Sequence, residues 1–320
     1  MRTANKLALK RMLAERSFAE LTRVLAAFQQ VSETDCSREL LALDAFEAFQ
    51  SADPSLTPLL DDWVKEAPDS YIPLVARAHH WSALARERRG SKWASETTRA
   101  QWKGMRDADV VVATDLKRSL ELHRTAAAYR ALIGLETRDP SAARVEVEAG
   151  LQLCPASLQL HAKIMGSLTP RWGGSYEAML AFAGKAPVER NPKLVVLPGF
   201  VDLDLASVAR SEGRPKAALR HAEKALQAGP YWEFLLDKAK SLLDLRRNEE
   251  ALEAIEAAIE QRPQKARAHA LRAIALCRLG EPDHAQSALA YGQAIDPYDP
   301  SLRGVRCGRS GGSDLRPESW

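Results

Sequence analysis

The chain is poor in aromatic residues, and the usual signals of several protein classes are missing from it. Phe, Trp and Tyr make up 6% of its 320 residues, which fits helices that pack through alanine and leucine. No run of about eighteen apolar residues occurs, so we expect no transmembrane helix. Positive and negative charges nearly balance at a net charge of +3, so the composition carries no overall signature of nucleic-acid binding.

Cysteine is scarce as well, and its four copies are widely separated. Cys36, Cys154, Cys277 and Cys307 form no CxxC pair, which argues against a zinc site or a redox motif and is typical of a reducing compartment. We therefore predict a cytoplasmic protein in which Cys154 and Cys277 are small core residues and Cys307 is an exposed thiol. The basic segment 1–16 lacks an unbroken apolar stretch, so we interpret it as an amphipathic helix.

Prolines recur toward the C-terminal end of the chain at a nearly constant spacing. Pro263 and Pro297 lie thirty-four residues apart, and Pro230 lies thirty-three residues before Pro263. Alanine or glycine occupies the positions twelve and five residues before each proline: Ala218, Ala251 and Ala285, then Ala225, Ala258 and Gly292. This period predicts stacked pairs of helices, because only a small side chain fits where two helices cross closely.

The residues between the paired helices support the same interpretation. The segments at these turns are Gly213-Arg214-Pro215, Arg246-Arg247-Asn248 and Gly280-Glu281-Pro282. Proline is favoured in the first turn of a helix, where its missing N–H group has no partner to lose. Pro215 and Pro282 are therefore predicted to begin the second helix of their pairs.

The repeat pattern extends upstream and resembles a known family. Pro140, Ala143 and Gly150 precede Pro155 by fifteen, twelve and five residues, which are the offsets of the later units. Over residues 199–297 the pattern resembles the tetratricopeptide repeat, although the aromatic residue that this repeat carries early in its first helix is absent. We predict an all-α fold, an α-solenoid of tetratricopeptide-like helical hairpins.

The chain is predicted to consist of four segments. Residues 1–68 form N-terminal helical hairpins, and residues 69–198 form a helical region with an insertion at 90–106 and an unusual Trp-Gly-Gly-Ser turn. Residues 199–300 hold the tetratricopeptide-like repeats. Residues 301–320, rich in glycine, serine and arginine, are predicted to be a disordered tail.

The insertion lies in the most basic window of the chain. Between Arg86 and Arg106 there are seven basic residues and two acidic ones, and Trp93 and Trp102 are interleaved with them. Such a segment is suited to phosphate contacts and base stacking. The alternative interpretation is a solvated insertion whose tryptophans fold back on the helices.

The turn formed by Arg171, Trp172, Gly173, Gly174 and Ser175 also has two interpretations. In the structural one, Trp172 fills a gap between hairpins, the glycines adopt positive φ and Ser175 caps the next helix. In the functional one, the turn is a ligand or catalytic site in which Arg171 and backbone N–H groups at a helix start attract an anion. No lysine follows the glycines, which excludes a P-loop.

Four short motifs resemble a bacterial family described as domain of unknown function 4034. They are Trp63-Val64, Pro68-Asp69-Ser70-Tyr71, Ala76-Arg77 and the segment from Leu168 to Ser175, and the resemblance spans roughly residues 15–260. It implies a helical, repeat-like architecture and a bacterial origin. It implies no catalytic residue, because the family has no established activity to transfer.

Candidate partner-binding residues follow from the register of the repeats. The first helices of such a solenoid line its groove, and their fifth, ninth and twelfth positions hold Leu203, Ser207 and Arg210, then Leu236, Lys240 and Leu243, then Ala270, Ile274 and Cys277. This set lacks the lysines and asparagines that clamp a terminal carboxylate. An extended peptide or an amphipathic helix fits the set better.

The sequence therefore predicts a protein-interaction scaffold or adaptor that holds a protein or peptide partner in its concave face. We predict no enzyme activity, no cofactor, no metal site and no membrane association, since no spacing of Ser, His, Cys or carboxylates supports a catalytic or metal-binding set. Nucleic-acid binding through residues 86–106 and a ligand or catalytic site around Trp172 remain the alternatives.

Overall fold

The computed structural model describes residues 4–90, 96–136 and 140–307. These residues form sixteen α-helices joined by short turns, and no β-strand occurs among them. The predicted all-α class is confirmed. No helix in the described part of the chain is long and apolar enough to cross a membrane.

The chain divides into two compact units. The first consists of Met1–Ser167 and Glu189–Asn191, and the second of Leu168–Val188 and Pro192–Trp320. The segments predicted from sequence, 1–68, 69–198 and 199–300, do not coincide with these units. The helices on either side of residue 68 pack on one another, so no boundary falls there.

Nine helices form the first unit: α1 (Lys6–Ala14), α2 (Phe18–Thr34), α3 (Leu40–Phe46), α4 (Leu56–Glu66), α5 (Tyr71–Arg89), α6 (Arg99–Leu122), α7 (Ala126–Glu136), α8 (Pro140–Leu153) and α9 (Leu158–Ser167). Their core is built around Trp63, which is fully buried. The Trp63 ring packs against Phe18 and Phe49, and its Nε1 donates to Thr22 Oγ1 at 2.9 Å. A buried indole that has a hydrogen-bond acceptor for its N–H group is a stable core residue.

Helix α6 begins earlier than the sequence predicts. Thr98 and Gln101 form a capping box at its start, in which each side chain bonds the other residue's backbone N–H. Residues 99–106, which the sequence assigns to an insertion, are therefore the first two turns of α6 and pack beside α5. Trp93 lies outside the described residues.

Seven helices form the second unit: α10 (Tyr176–Ala183), α11 (Gly199–Ser211), α12 (Pro215–Gln227), α13 (Trp232–Asp244), α14 (Asn248–Gln261), α15 (Ala266–Arg278) and α16 (Pro282–Ile295). Consecutive helices from α11 to α16 pack as three hairpins, and each first helix also contacts the next one. Pro215 and Pro282 begin α12 and α16, as predicted.

The recurring small residues lie where the paired helices meet. Ala218, Ala225 and Ala251 have no exposed surface. A Cβ added to Gly292 would lie 3.0 Å from Leu302 Cδ2 and 3.3 Å from His269 Cβ, so a larger side chain would push neighbours apart. The prediction that close helix crossings select these residues is confirmed.

Cys154 is buried as predicted, at 3% exposed, but the prediction that the cysteines are unpaired is wrong. Cys36 is bonded to Cys154 and Cys277 to Cys307, and the described residues contain no free cysteine. Each bond lies inside one unit and joins residues 118 and 30 positions apart, respectively. The helical fold brings distant cysteines together, which sequence spacing could not reveal, and the cysteines no longer support a reducing compartment.

The second disulfide also bears on the predicted disorder of the C-terminal segment 301–320. Cys307 is tied to the last turn of α15, and Leu302 and Val305 are buried. The predicted disorder is therefore wrong for residues 301–307. Residues 308–320 lie outside the described part of the chain.

Candidate functional site

The first helices of the three C-terminal hairpins, α11, α13 and α15, carry the predicted partner-binding residues. Leu236, Leu243 and Ile274 are each at most 1% exposed and belong to the core between the helices. They cannot touch a partner, and Ala270 is buried in the same way. The partly exposed predicted residues are Leu203, Ser207, Arg210 and Lys240. Cys277 is committed to its disulfide.

Arg210, Lys240 and Arg267 come from three successive first helices and form what we call the cationic face. Burial, together with the positive charges of Arg267 and Arg210, lowers the pKa of Lys240 to about 7, although Asp237 and Glu233 act in the opposite direction. The lysine is thus held among like charges in a poorly solvated position, where its charged form is disfavoured.

The carboxylate of Asp237 balances part of this charge. Both oxygens of Asp237 accept from Arg210, at 2.5 Å and 3.2 Å, and the same guanidinium reaches Ser241 Oγ at 3.4 Å. Asp237 is 5% exposed, so this bidentate pair is shielded from solvent and fixes the position of the arginine. Asp237 is largely committed to Arg210, which leaves Lys240 and Arg267 less well balanced.

A second group of cations surrounds Trp232 at the start of α13. Arg262, Lys265 and Arg267 place their charged atoms 5.1–5.5 Å from the centre of its ring. Attraction to the ring face holds cations together that would otherwise repel one another. Because Arg267 belongs to both groups, positive charge continues from Trp232 to the cationic face.

The turn between α9 and α10 is rigid and well bonded. Arg171 Nη2 donates to Asp204 Oδ1 at 2.5 Å, and Tyr176 Oη donates to the other oxygen of Asp204 at 3.0 Å. Ser175 Oγ accepts from the N–H group of Ala178, and Gly173 has φ +86°. The predicted helix cap is confirmed, and the predicted positive φ is confirmed at Gly173 but is wrong at Gly174.

The backbone of this turn offers little to an anion. The N–H groups of Trp172 and Gly174 donate to Thr169 O, and that of Gly173 donates to Pro170 O. Asp204 already neutralises Arg171. These three N–H groups of the turn and the Arg171 side chain therefore have partners within the protein.

Trp172 itself does not fill a gap between hairpins. Its side chain is 46% exposed, so the structural interpretation of this residue is wrong. An indole that is partly exposed on a fixed turn is available for contact with a partner, since such a side chain loses little conformational freedom on binding.

Two arginines at the start of the basic window each lie over a tryptophan ring. Arg88 lies over the Trp81 ring at 5.2 Å, and Arg89 lies over the Trp102 ring at 5.3 Å. Arg88 also donates to Gly104 O, and Lys103 pairs with Asp107. The contacts of Arg89 with Trp102 and of Arg88 with Gly104 join α5 to α6. Trp102 therefore packs back on a helix, as the structural interpretation predicts, and all four contacts compete with phosphate and base contacts.

Arg77 and Ser70, from the short motifs of the sequence resemblance, have structural roles. Arg77 makes a bidentate bond to Asp115 of α6 at 2.7 Å and 2.8 Å and a third bond to Asp61 of α4 at 2.9 Å. Ser70 caps α5 through the N–H group of Ile72. Arg77 therefore joins α5 to α6 and α4, and Ser70 stabilises the start of α5.

Buried histidines of the first unit are also part of its packing. His80 bonds Ser51 O at 2.7 Å and Thr57 Oγ1 at 2.8 Å. Burial lowers the pKa of His79 to about 4, so its ring is neutral at pH 7. No group of three or more metal-ligating side chains occurs among the described residues.

Two family models match the chain, one within the first compact unit and one within the second. Residues 5–138 match the family described as domain of unknown function, DUF4034. Residues 209–275 match a tetratricopeptide repeat, so both predicted resemblances are confirmed over these ranges. The DUF4034 match ends before Leu168–Ser175, so the resemblance that this segment was predicted to carry is not confirmed. No curated protein sequence matches the chain.

Solved structures with related helical repeats are more distant. A structure of PilF from Pseudomonas aeruginosa is 19% identical, with 62% of this chain and 89% of that chain covered and a TM-score of 0.38. The Cut9–Hcn1 hetero-tetramer of APC/C is 12% identical, with coverage of 92% and 53% and a TM-score of 0.37. The tetratricopeptide domain of P58(IPK) is 15% identical, with coverage of 92% and 93% and a TM-score of 0.33. Likenesses at these scores carry no argument about function.

Proposed function

We propose that the second unit binds an acidic segment of a partner protein on the cationic face. The supporting observation is the environment of Lys240, whose pKa is lowered by burial and by Arg267 and Arg210. A lysine in such a position destabilises the free protein, because its charge is poorly solvated and lies among like charges. A carboxylate from a partner removes that penalty and forms a charge-assisted hydrogen bond.

The remaining contacts suit an extended peptide. Leu203 and Ser207 are partly exposed on α11, the helix that carries Arg210, and supply one apolar and one hydrogen-bonding contact. Tetratricopeptide repeats are extended recognition surfaces, and this architecture supports a role as a scaffold or adaptor rather than as a catalyst. Leu236, Leu243 and Ile274 are buried and pack in the core beneath this face.

Selection from a random peptide library tests the proposal. The full chain is used as bait, and Lys240→Glu and Lys216→Glu serve as variants; Lys216 is exposed on the second helix α12. We expect the wild-type protein and Lys216→Glu to enrich peptides rich in Asp and Glu, and Lys240→Glu to lose that preference. Enriched peptides without an excess of acidic residues would contradict the proposal.

Nucleic acid is the competing polyanion in this experiment. A single-stranded oligonucleotide added during selection should displace the acidic peptides only weakly, because the cationic face lacks an exposed aromatic side chain on which bases could stack. Complete displacement at low oligonucleotide concentration would instead favour a nucleic-acid partner. Substituting Arg88 and Arg89 in the basic window should leave peptide selection unchanged.

A further inference from the structure

Helix α14 presents a row of carboxylates along one edge of a surface groove. Glu249, Glu253, Glu256 and Glu260 follow one another at spacings of four, three and four residues. This spacing places them within about 60° of one another around the helix axis, and we call them the acidic row. The groove has a volume of about 730 Å³ and lies between α14 and the turn that joins α15 to α16.

The floor of the groove is apolar. Leu252 and Leu279 are half-buried there, and no lysine or arginine of the described residues lines it. Glu256 is paired with Arg272 at 2.7 Å, whereas the side chains of the other three members of the acidic row form no ion pair with a described residue. An apolar floor beside unpaired carboxylates fits a helix that carries both cations and an apolar side chain.

The basic window of this chain carries such a helix face on α6. Arg99, Lys103 and Arg106 are exposed, and Val110, which is 64% exposed, continues their line. We call these four residues the basic row. Their spacing of four, three and four residues equals that of the acidic row, so both rows are about 16 Å long.

The cations of the basic row are almost as poorly balanced as the carboxylates of the acidic row. Lys103 forms an exposed ion pair with Asp107, and such a pair contributes little to stability. The side chains of Arg99 and Arg106 form no ion pair with a described residue. Both rows therefore keep most of their charge available for a partner.

We propose that α6 of one copy of this chain docks in the α14 groove of a second copy, with the basic row against the acidic row. Opposite charges at equal spacing are paired together at one register, and Val110 adds an apolar side chain that the groove buries. The contact joins two different surfaces, so copies either add one after another or close reciprocally as a dimer. It does not use the cationic face and does not depend on the proposed peptide binding.

Analytical ultracentrifugation of the nuclease-treated full chain tests the proposal. At about 50 mM salt, we expect the weight-average mass to rise above that of the monomer between about 1 and about 200 µM protein, the range of a weak contact. At about 500 mM salt the rise should disappear, because exposed charges are screened. A monomer at every concentration would overturn the proposal, as would association that nuclease treatment abolishes.

Charge reversal at the centre of each row assigns the contact. The two double variants are Glu253→Lys with Glu256→Lys, and Lys103→Glu with Arg106→Glu. The central positions face each other in either relative direction of the helices, so each variant alone should stay monomeric. An equal mixture should associate again, because each reversed row meets the reversed row of the other variant. A mixture that stays monomeric would overturn the proposal.

Matched controls carry the same changes of charge outside the rows. Glu223→Lys with Glu250→Lys, and Lys117→Glu with Arg118→Glu, reverse exposed side chains on α12, α14 and α6. Both controls should associate as the wild-type protein does. If they lose association as fully as the row variants, net charge drives it and the proposal is overturned. Thermal melts show whether each variant is folded.

A single substitution provides the test where a double variant does not fold. Val110→Asp removes the apolar contact and adds a negative charge to the basic row, so it should weaken association at least about tenfold. Val145→Asp, at a position on α8 that is also 64% exposed, should leave association unchanged. Equal association of Val110→Asp and the wild-type protein would overturn the proposal.

Discussion

At the scale of single residues, one position of the turn between paired helices has a positive φ in all three hairpins. Gly213, Arg246 and Gly280 have φ of +70°, +61° and +81° and each lies seventeen residues before its proline. A positive φ is unfavourable for a residue with a Cβ atom and free for glycine. Arginine at position 246 therefore adopts a strained conformation that the other two turns avoid.

Arg246→Gly should stabilise the protein by about 0.5–1 kcal/mol, because it removes this strain. Gly213→Ala is the matched control. A Cβ at Gly213 would meet no atom within 4 Å, so its expected loss of about 1 kcal/mol comes from φ alone. Urea denaturation measures the free energy of unfolding of both variants. A loss of stability in Arg246→Gly would contradict the conclusion that Arg246 is strained.

Trp172→Ala should change the free energy of unfolding by less than about 1 kcal/mol, since the side chain is partly exposed. Gly174→Ala, two residues later, should be far more harmful. A Cβ there would lie 2.1 Å from Leu168 O, and the turn could not close. Thermal melts compare the melting temperatures of the two variants. Gly166→Ala is the control glycine substitution, because a Cβ at Gly166 meets nothing within 4 Å. A large loss in Trp172→Ala would mean that the indole is a core residue.

The sequence predicts residue roles well only where the repeat imposes them. Ala218 and Gly292 were predictable because helix crossing restricts side-chain size at a fixed period. The burial of Leu236 depends on how far its helix is rotated about its axis, and the exposure of Trp172 depends on the path of the turn that carries it. A repeat register does not fix that rotation, so the predicted groove included core residues.

At the scale of elements, α5 and α6 differ in how well the sequence predicts where each helix begins and ends. The limits of α5 were predictable from the cap at Ser70 and the glycine at its end. The start of α6 was not, because its basic residues and Gly104 resemble a loop. The Thr98–Gln101 capping box was the local signal that could have located it.

Arg77→Met should destabilise the first unit by about 3–5 kcal/mol, because it leaves Asp115 buried without its cation. Asp115 is 2% exposed, and burial already raises its pKa despite the bidentate bond. Urea unfolding measures the loss. Arg16→Met, which breaks the exposed pair with Asp62, should change stability by less than about 1 kcal/mol.

The double variant Arg77→Met with Asp115→Leu separates two explanations of that loss. If the penalty comes from an unpaired buried charge, removing the carboxylate should recover much of the stability. Equal instability of the single and double variants would show that the arginine acts through packing instead.

At the scale of the whole molecule, the sequence predicted unpaired cysteines, and the structure shows two disulfides instead. The Cys36–Cys154 bond closes a separation of 118 residues and the Cys277–Cys307 bond one of 30. In the chain-entropy account they contribute about 5 and about 4 kcal/mol, respectively, by restricting the unfolded chain.

A thiol titration of the protein unfolded without reductant should therefore find no free thiol, and reductant should lower the melting temperature. The variant Cys36→Ser should lose at least as much stability as Cys277→Ser, because its bond closes the longer loop. Four titratable thiols in protein isolated from its own cells would contradict the pairing and restore the prediction of a reducing compartment.

The central claim concerns Lys240, and the affinity of a selected acidic peptide as a function of pH tests it most directly. Above a pKa of about 7 the free protein loses the charge that the peptide needs. Fluorescence anisotropy should therefore show binding that weakens about tenfold or more between about pH 6 and pH 9 in the wild-type protein and in Lys216→Met. Lys240→Met should bind weakly with little dependence on pH. Equal affinity in Lys240→Met and the wild-type protein across this range would contradict the account.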